Sequence, residues 1–310
     1  MGLSRSDIEL SYELFLGRAP SEQEIDRVRK NQSSLDSLRN LFLKSDEFRK
    51  VRGSVKTSDK SYKSAKKTII HLHVPKSAGS SLSRLLANDT TANGRITVGD
   101  NTLKQLTNLP VARQRELTLI FGHLRHGIAK KLPQQCHYVS VLREPGPRVL
   151  SFYRYVERTD HHPLYETVHG QKMSFGDFLE FTEATPKFRM EVDNGQIRRL
   201  GGDMANSSLG REHALLRRAL HNVFAPNFTY GLTEYFDNFQ KRLVRQGLLS
   251  ASKSIRENAA GVPGDLTAAL AELTPAQRAI YDSYIRWDTQ FYDICKTVYF
   301  ANRNSKEQPL

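Results

Sequence analysis

Residues 67–88 read KTIIHLHVPKSAGSSLSRLLAN, and the order of residue types along this stretch decides the fold. TIIHLHV is an apolar run rich in β-branched residues, as strands are. VPKSAGSS is a loop of small residues, and SSLSRLLAN carries the apolar spacing of a helix. Strand, small-residue loop and helix form the order of a phosphate cradle. A Walker loop needs two glycines followed by a lysine, whereas Lys76 precedes Gly79, so that reading fails on order. The local physics still favours an anion. Backbone N–H groups at a helix start point at a ligand, and the helix dipole favours negative charge there. The cradle would be the backbone of Ser77, Ala78, Gly79, Ser80 and Ser81, with the serine hydroxyls as further donors and Lys76 beside the anion. The bland alternative is a strand–turn–helix with serine capping.

The rest of the chain continues the alternation. TLIFGHL and HYVSVLR are short apolar runs bounded by polar or turn residues, as buried parallel strands are. PRVLSFYRYVER reads as a helix. FTYGLTEYF reads as a fourth strand turning into the helix DNFQKRLVRQGLL. TPAQRAIYDSYIRWDTQFYDICKTVYF is a long amphipathic helix, broken at most once, with Thr274 as its cap and Pro275 at its first position. The expected fold class is α/β, a parallel sheet flanked by helices with crossover connections.

Ahead of this domain lies a small all-helical module over 1–51. Ile8, Tyr12, Phe15 and Leu16 recur at helical spacing, widened by Leu10 and Leu14, with Ser6 as the expected cap and Gly17 as the stop. SEQEIDRVRKN and SLDSLRNLFLKSDEFRKV are the expected second and third helices. Residues 52–66 are Ser/Lys-rich without periodicity, hence a linker or an exposed basic arm. The main domain is expected over 67–302, with a disordered tail over 303–310.

Hydrophobic residues make up 38% and charged residues 25% of 310 residues, enough apolar material for a sizeable soluble core. The net charge of +13 fits a polyanionic partner or a solvated basic surface and by itself names neither. Two distant cysteines, Cys136 and Cys295, exclude a disulfide framework and fit no metal spacing. There is no apolar run long enough for a membrane span and no secretory h-region. The MGLSRS start matches a myristoylation pattern only formally.

A second segment, VLREPGPRVLSFYRYV over 141–156, ends a strand at Leu142 and opens a helix at its prolines. Arg143 then stands at the C-terminal edge of the sheet, where α/β folds bind ligands. Arg148 and Ser151 lie on the first turns of the helix, and Arg143 and Ser151 can converge on one phosphate. The bland reading is surface charge, with Glu144 and Arg148 as a helix pair.

VPKSAGSS resembles the 5′-phosphosulfate loop, and LREPGPRVLSFYRY the 3′-phosphate segment, of sulfotransferases that use 3′-phosphoadenosine 5′-phosphosulfate. Their order and their separation of about sixty residues match that family, and the resemblance runs from Lys67 to Phe300. It is nearest the Golgi-type carbohydrate sulfotransferases, including the uronyl and heparan 2-O branch. The resemblance implies a P-loop-kinase-like sheet, that nucleotide as co-substrate, no metal, and sulfuryl transfer to a carbohydrate hydroxyl. Lys76 would then stabilise the bridging oxygen, while Arg143 and Ser151, with Arg148 in support, would hold the 3′-phosphate.

IFGHLRHGI resembles the family stretch whose second histidine is the proposed base. His123 occupies that position, Phe121 replaces the earlier histidine, and His126 is a rival from the same loop. VDNGQIRRLGG resembles an acceptor segment of the same branch, which implies that Asn194, Gln196 and Arg198 face the acceptor, with Arg198 and Arg199 suiting an acidic sugar. FTYGLTEYFDNF resembles a late family element. YELFLGRAPSEQEI with LRNLFLKSDEF resembles the DUF4214 type of helical segment from bacterial secreted and glycan-related proteins, over about forty residues. His161, His162 and His169 are irregularly spaced and are read as solvent-facing.

Three other readings compete. The same chemistry could act on a lipid, phenolic or tyrosine hydroxyl. A nucleotide kinase is disfavoured by the lysine position. A non-catalytic nucleotide- or glycan-binding protein could keep the fold. Without a signal or anchor, the expectation is a bacterial cytoplasmic enzyme acting on a capsule, exopolysaccharide or lipid-linked glycan precursor, with no nucleic-acid partner.

Overall fold

The computed structural model describes residues 3–16, 18–34, 37–38, 41–42, 45–47, 67–99, 103–205, 209–252 and 264–304. The chain divides into two units, Met1–Ala65 and Lys66–Leu310.

In the first unit α1 spans Arg5–Leu16 and α2 spans Glu22–Asn31. The cap of α1 is Ser4 rather than the expected Ser6. Asp7, three residues after Ser4, closes a reciprocal pair: the Asp7 N–H donates to Ser4 Oγ and the Ser4 N–H to Asp7 Oδ2, both at 3.1 Å. Ser21 and Glu24 form the same box on α2. Ile8, Tyr12, Phe15 and Leu16 are buried together with Ile25, Val28 and Phe42, as their spacing requires. Gly17, the side chains of Leu10 and Leu14, most of the third helix and the linker over 52–66 lie outside the described residues.

Among its described residues the second unit has five strands: β1 Thr68–Leu72, β2 Arg95–Thr97, β3 Leu119–Gly122, β4 Cys136–Leu142 and β5 Phe228–Leu232. All pairings are parallel and the order is β2-β3-β1-β4-β5, the expected α/β sheet of P-loop-kinase-like type. β2 is the strand that the sequence does not announce. It has three residues at the edge of the sheet, two of them exposed, and so carries no apolar run.

The order matters for the site. β1 lies between β3 and β4, so the chain reverses direction across the sheet at β1, which is where open α/β sheets bind ligands. The segments that leave these three strands, VPKSAGSS, HLRHG and REPG, therefore emerge side by side.

The helices of this unit used below are α3 Gly79–Asn88, α4 Pro145–Arg158, α5 Phe175–Ala184, α6 Pro186–Val192, α7 Gly195–Gly201, α8 Glu212–Val223, α9 Phe236–Arg245, α10 Gly264–Ala271 and α11 Pro275–Asn304. Side chains alternate across a strand, and the alternation separates two packed faces. On one, Leu82, Leu85 and Leu86 of α3 and Phe239 and Leu243 of α9 bury Leu119, Val139 and Val141. On the other, the Tyr230 hydroxyl donates to the Cys295 carbonyl of α11 at 2.8 Å. A further cluster joins α4, α5 and the first half of α11 through Phe152, Phe178, Tyr281 and Tyr284.

Thr274 caps α11 as expected, accepting from the Gln277 N–H at 3.2 Å while Gln277 Oε1 accepts from the Thr274 N–H at 3.1 Å. The helix runs unbroken to Asn304, so residues 303 and 304, expected in the tail, are helical; residues 305–310 lie outside the described set. Among the described residues no helix is long and apolar enough to cross a membrane. Cys136 and Cys295 are buried free thiols.

Candidate active site

The loop after β1 has the backbone of an anion cradle. Lys76 and Ala78 both lie in the left-handed region, with φ of 64° and 56°. Such residues alternating with others turn successive N–H groups towards one concave side. They cost about 1–2 kcal/mol each in an L-residue, so the loop is held by its surroundings. Ala78 is the cap position of α3 and provides no side-chain cap, which leaves the N–H groups of the first turn for a ligand. Ser77 is fully buried and its Oγ has no hydrogen-bond partner in the protein, as a donor reserved for an anion would be. Ser81 is buried and Ser80 exposed. These features fit a phosphate or phosphosulfate.

Gly79 is required by packing. A β-carbon there would overlap the ring of His73, which lies across the start of α3. Gly79→Ala should therefore cost about 1–3 kcal/mol through overpacking, measured by urea unfolding. The loss should shrink in a His73→Ala background, because the obstructing ring is then absent. Equal losses in both backgrounds would show that the ring is not the obstacle.

Arg143 closes the cradle from β4. Its Nη1 donates to the Lys76 carbonyl at 2.9 Å. Its own backbone is held by Gln196, which accepts from the Arg143 N–H at 3.1 Å and donates to its carbonyl at 2.9 Å. The late GLTE segment braces the same strand end. Thr233 Oγ1 donates to the Leu142 carbonyl at 3.0 Å, and Glu234 accepts from the Glu144 N–H at 3.3 Å and from the Tyr292 hydroxyl at 2.8 Å. Ser151 lies one turn before Tyr155 on α4, and Lys76 Nζ sits 4.3 Å from the centre of the Tyr155 ring. Arg143 and Tyr155 thus both meet Lys76, and helix spacing puts Ser151 on the same face of α4 as Tyr155. Burial, with the nearby charges of Arg158 and Arg143, lowers Lys76 to about 8.

The histidines separate by face. His123 directly follows β3, is exposed, and stacks on His73 with ring centres 4.7 Å apart and planes 22° apart. His126 turns away to the opposite face, where its ring packs 4.5 Å from that of Tyr138 and 6.3 Å from that of Phe228. Burial, with the charges of Lys130 and His221, lowers His126 to about 4.

Four expected site residues take other places. Arg148 does not reach the phosphate side. It is fully buried, donates to the Glu191 carbonyl at 2.9 Å and pairs with Asp288 at 3.4 Å. Nor is it a helix partner of Glu144. Asn194, Gln196 and Arg198, expected to face an acceptor, are buried at 1%, 0% and 0% exposure. Asn194 inserts into the hydrogen-bond ladder of α11, accepting from the Trp287 and Asp288 N–H groups at 2.8 and 3.0 Å and donating to the Ser283 carbonyl at 3.0 Å. Gln196 is used by Arg143. Arg198 pairs with Glu212 at 2.6 Å and Asp193 at 3.3 Å. Arg199, also fully buried, holds the loop after β3: it donates to the Leu124 carbonyl at 3.1 Å and to Glu191 at 2.7 Å. The segment is a latch behind the site rather than its acceptor wall.

Two side chains in the site were not anticipated, His73 and Tyr155. Both carry a periodicity signal: His73 is two residues after His71 on one strand face, and Tyr155 one turn after Ser151.

Residues 61–201 match the family model described as Sulfotransferase family. No curated protein matches the chain. Among solved structures, a crystal structure of mouse sulfotransferase SULT7A1 complexed with PAP matches at 14% identity and a TM-score of 0.41, covering 72% of this chain and 85% of that one. A likeness of that degree does not by itself assign a site or an activity.

Proposed function

We propose that this protein is a sulfotransferase that moves a sulfuryl group from 3′-phosphoadenosine 5′-phosphosulfate to a hydroxyl of a carbohydrate acceptor. The observation that carries the reading is the junction of the two nucleotide segments, the Arg143 guanidinium bonded to the Lys76 carbonyl of the uncapped loop. The family match over 61–201 supports it and contains both segments. The carbohydrate acceptor rests on the resemblance of the motifs, and the net charge of +13 suits an acidic one.

In this reading the loop N–H groups and Ser77 hold the 5′-phosphosulfate, and Arg143 with Ser151 holds the 3′-phosphate. The acceptor oxygen forms its bond to sulfur as the bond from sulfur to the bridging oxygen breaks, leaving 3′-phosphoadenosine 5′-phosphate. His123 takes the acceptor proton, and Lys76 stabilises the charge that develops on the bridging oxygen. Positioning both reactants in line supplies the rest.

Calorimetric titration with 3′-phosphoadenosine 5′-phosphate, ADP and ATP tests the donor site. Preference for the 3′-phosphorylated nucleotide without Mg²⁺, lost in Arg143→Ala, is expected. Preference for ATP with Mg²⁺, or no binding at all, would overturn the reading.

The Lys76 environment adds a pH dependence. In the free protein Lys76 titrates near 8, and a bound dianion favours its charged form and raises that value. Below pH 8 both states are protonated and affinity is flat. Above pH 8 binding must take up a proton, so affinity falls as pH rises. Titrations from pH 7 to 9.5 should show this fall, with proton uptake visible as a dependence of binding heat on the buffer. Affinity that stays flat in Lys76→Met and falls in wild type would assign the effect to Lys76. The same fall in both would remove the assignment.

A further inference from the structure

The proposed mechanism leaves His73 without a task, although it touches both halves of the site. Strand alternation puts Ile69, His71 and His73 on one face of the β1 line, and Leu119, Phe121 and His123 on the same face of the β3 line. The register Leu72↔Gly122, continued by the His73 N–H donating to the Gly122 carbonyl at 3.0 Å, sets His73 beside His123. Three imidazoles then form a column. His71 and His73 have ring centres 5.7 Å apart at 16°, and His73 and His123 have centres 4.7 Å apart at 22°. The inner end is fixed: His71 is fully buried and its Nδ1 is 3.0 Å from Ser83 Oγ on α3. The middle ring lies over Gly79, the first residue of α3, where no side chain larger than hydrogen fits beneath it. The outer ring, His123, is exposed.

We propose that His73 is a positioning residue that fixes the ring plane of His123 against the anion loop. Its ring spans the start of α3 and the ring of His123, so the base is referenced to the helix that begins the cradle. Burial first, then the charges of His71, His123, Arg199 and Lys76, hold His73 down to about 2. It is therefore neutral at working pH and offers a ring face without competing for the acceptor proton. A neutral π face also tolerates the imidazolium that His123 becomes on taking a proton. The inference rests on His123 as the base.

The test reads the His123 ring directly, by proton–carbon NMR of histidine-labelled protein, with its signal identified as the one missing in His123→Ala. In wild type the stacked ring should lie upfield through the ring current of His73. The upfield shift should persist in His73→Phe, which keeps an aromatic face. It should be lost in His73→Ala and in His73→Leu, which retains bulk beside Gly79. Saturation with 3′-phosphoadenosine 5′-phosphate should move the His123 signal in wild type and in His73→Phe. It should leave that signal unmoved in His73→Leu, with calorimetric affinity unchanged in all three. A His123 signal in His73→Leu that keeps the wild-type position when free and moves as in wild type when bound would overturn the proposal. If wild type binds no nucleotide, the donor reading falls, and the unliganded spectra still decide whether His73 orients His123.

Discussion

His123→Ala is expected to lower sulfuryl transfer by about 10²–10⁴-fold, the range for removal of a general base, and to leave nucleotide affinity unchanged. The two readouts separate because the two kinds of contact come from different strands. In the proposed reading the nucleotide is held by the loop after β1 and by Arg143 after β4, whereas His123 follows β3. His123 is also exposed, so truncation removes little packing and should change stability by less than about 0.5 kcal/mol. His126→Ala is the contrasting control. Its ring packs on Tyr138 and Phe228 on the other face of the sheet, so its loss should cost about 1–3 kcal/mol of stability and leave the rate per folded molecule intact. Release of 3′-phosphoadenosine 5′-phosphate from the donor, with a panel of acidic polysaccharides as acceptors, measures the first quantity. Urea unfolding measures the second. If His126→Ala lost turnover and His123→Ala kept it, the base would lie on the opposite face and the assignment would be reversed.

What the sequence made legible, and what it hid, follows from the range of the interactions involved. Local signals were readable. The strand–loop–helix order at 67–88, the capping of α11 by Thr274 and the apolar runs of β1, β3, β4 and β5 each depend on residues a few positions apart. β2 was hidden because an exposed three-residue edge strand buries too little to leave a pattern. The larger misreading concerned charge. Arg148, Arg198 and Arg199 look like ligand contacts because a lone arginine in a sequence is ordinarily a surface group. Their counter-ions lie elsewhere in the chain: Asp288 is 140 residues beyond Arg148, and Glu212 is 14 beyond Arg198. Asn194 misled in the same way. An asparagine in a polar segment suggests a binding loop. Here it takes a left-handed backbone, φ 49°, and satisfies backbone groups of α11 about ninety residues away. A motif can thus be read correctly as a unit while the direction in which its side chains point stays hidden. Gln196 shows the consequence for function, since it serves the site by holding the Arg143 backbone rather than by meeting a substrate.

Arg148→Met is expected to destabilise the second unit by about 3–5 kcal/mol, the largest loss among the substitutions considered. The reason is the group left behind. Asp288 is fully buried; it accepts from the Ile197 and Gln196 N–H groups at 2.9 and 3.1 Å, at the start of α7, and Arg148 is its cation. Burial pushes the Asp288 carboxyl above its ordinary value and the Arg148 guanidinium below its own. Arginine keeps its proton at any working pH, so Asp288 stays charged beside it and is stranded when it is removed. Distance alone would give the opposite ranking. Arg278 and Asp282 are closer, at 2.9 Å, but both are about half exposed, and such a pair contributes only about 0.3–0.5 kcal/mol. The buried pair at 3.4 Å matters more because water cannot replace either partner. The double variant Arg148→Met with Asp288→Asn should recover much of the loss: the asparagine oxygen can still accept from α7, and no charge remains unpaired. Urea midpoints for the two single variants and the double form the cycle. A strong positive coupling, with nucleotide affinity per folded molecule unchanged, would establish Arg148 as the bolt between α4 and α11. A single-variant loss below about 1 kcal/mol, together with weakened nucleotide binding, would return Arg148 to the phosphate.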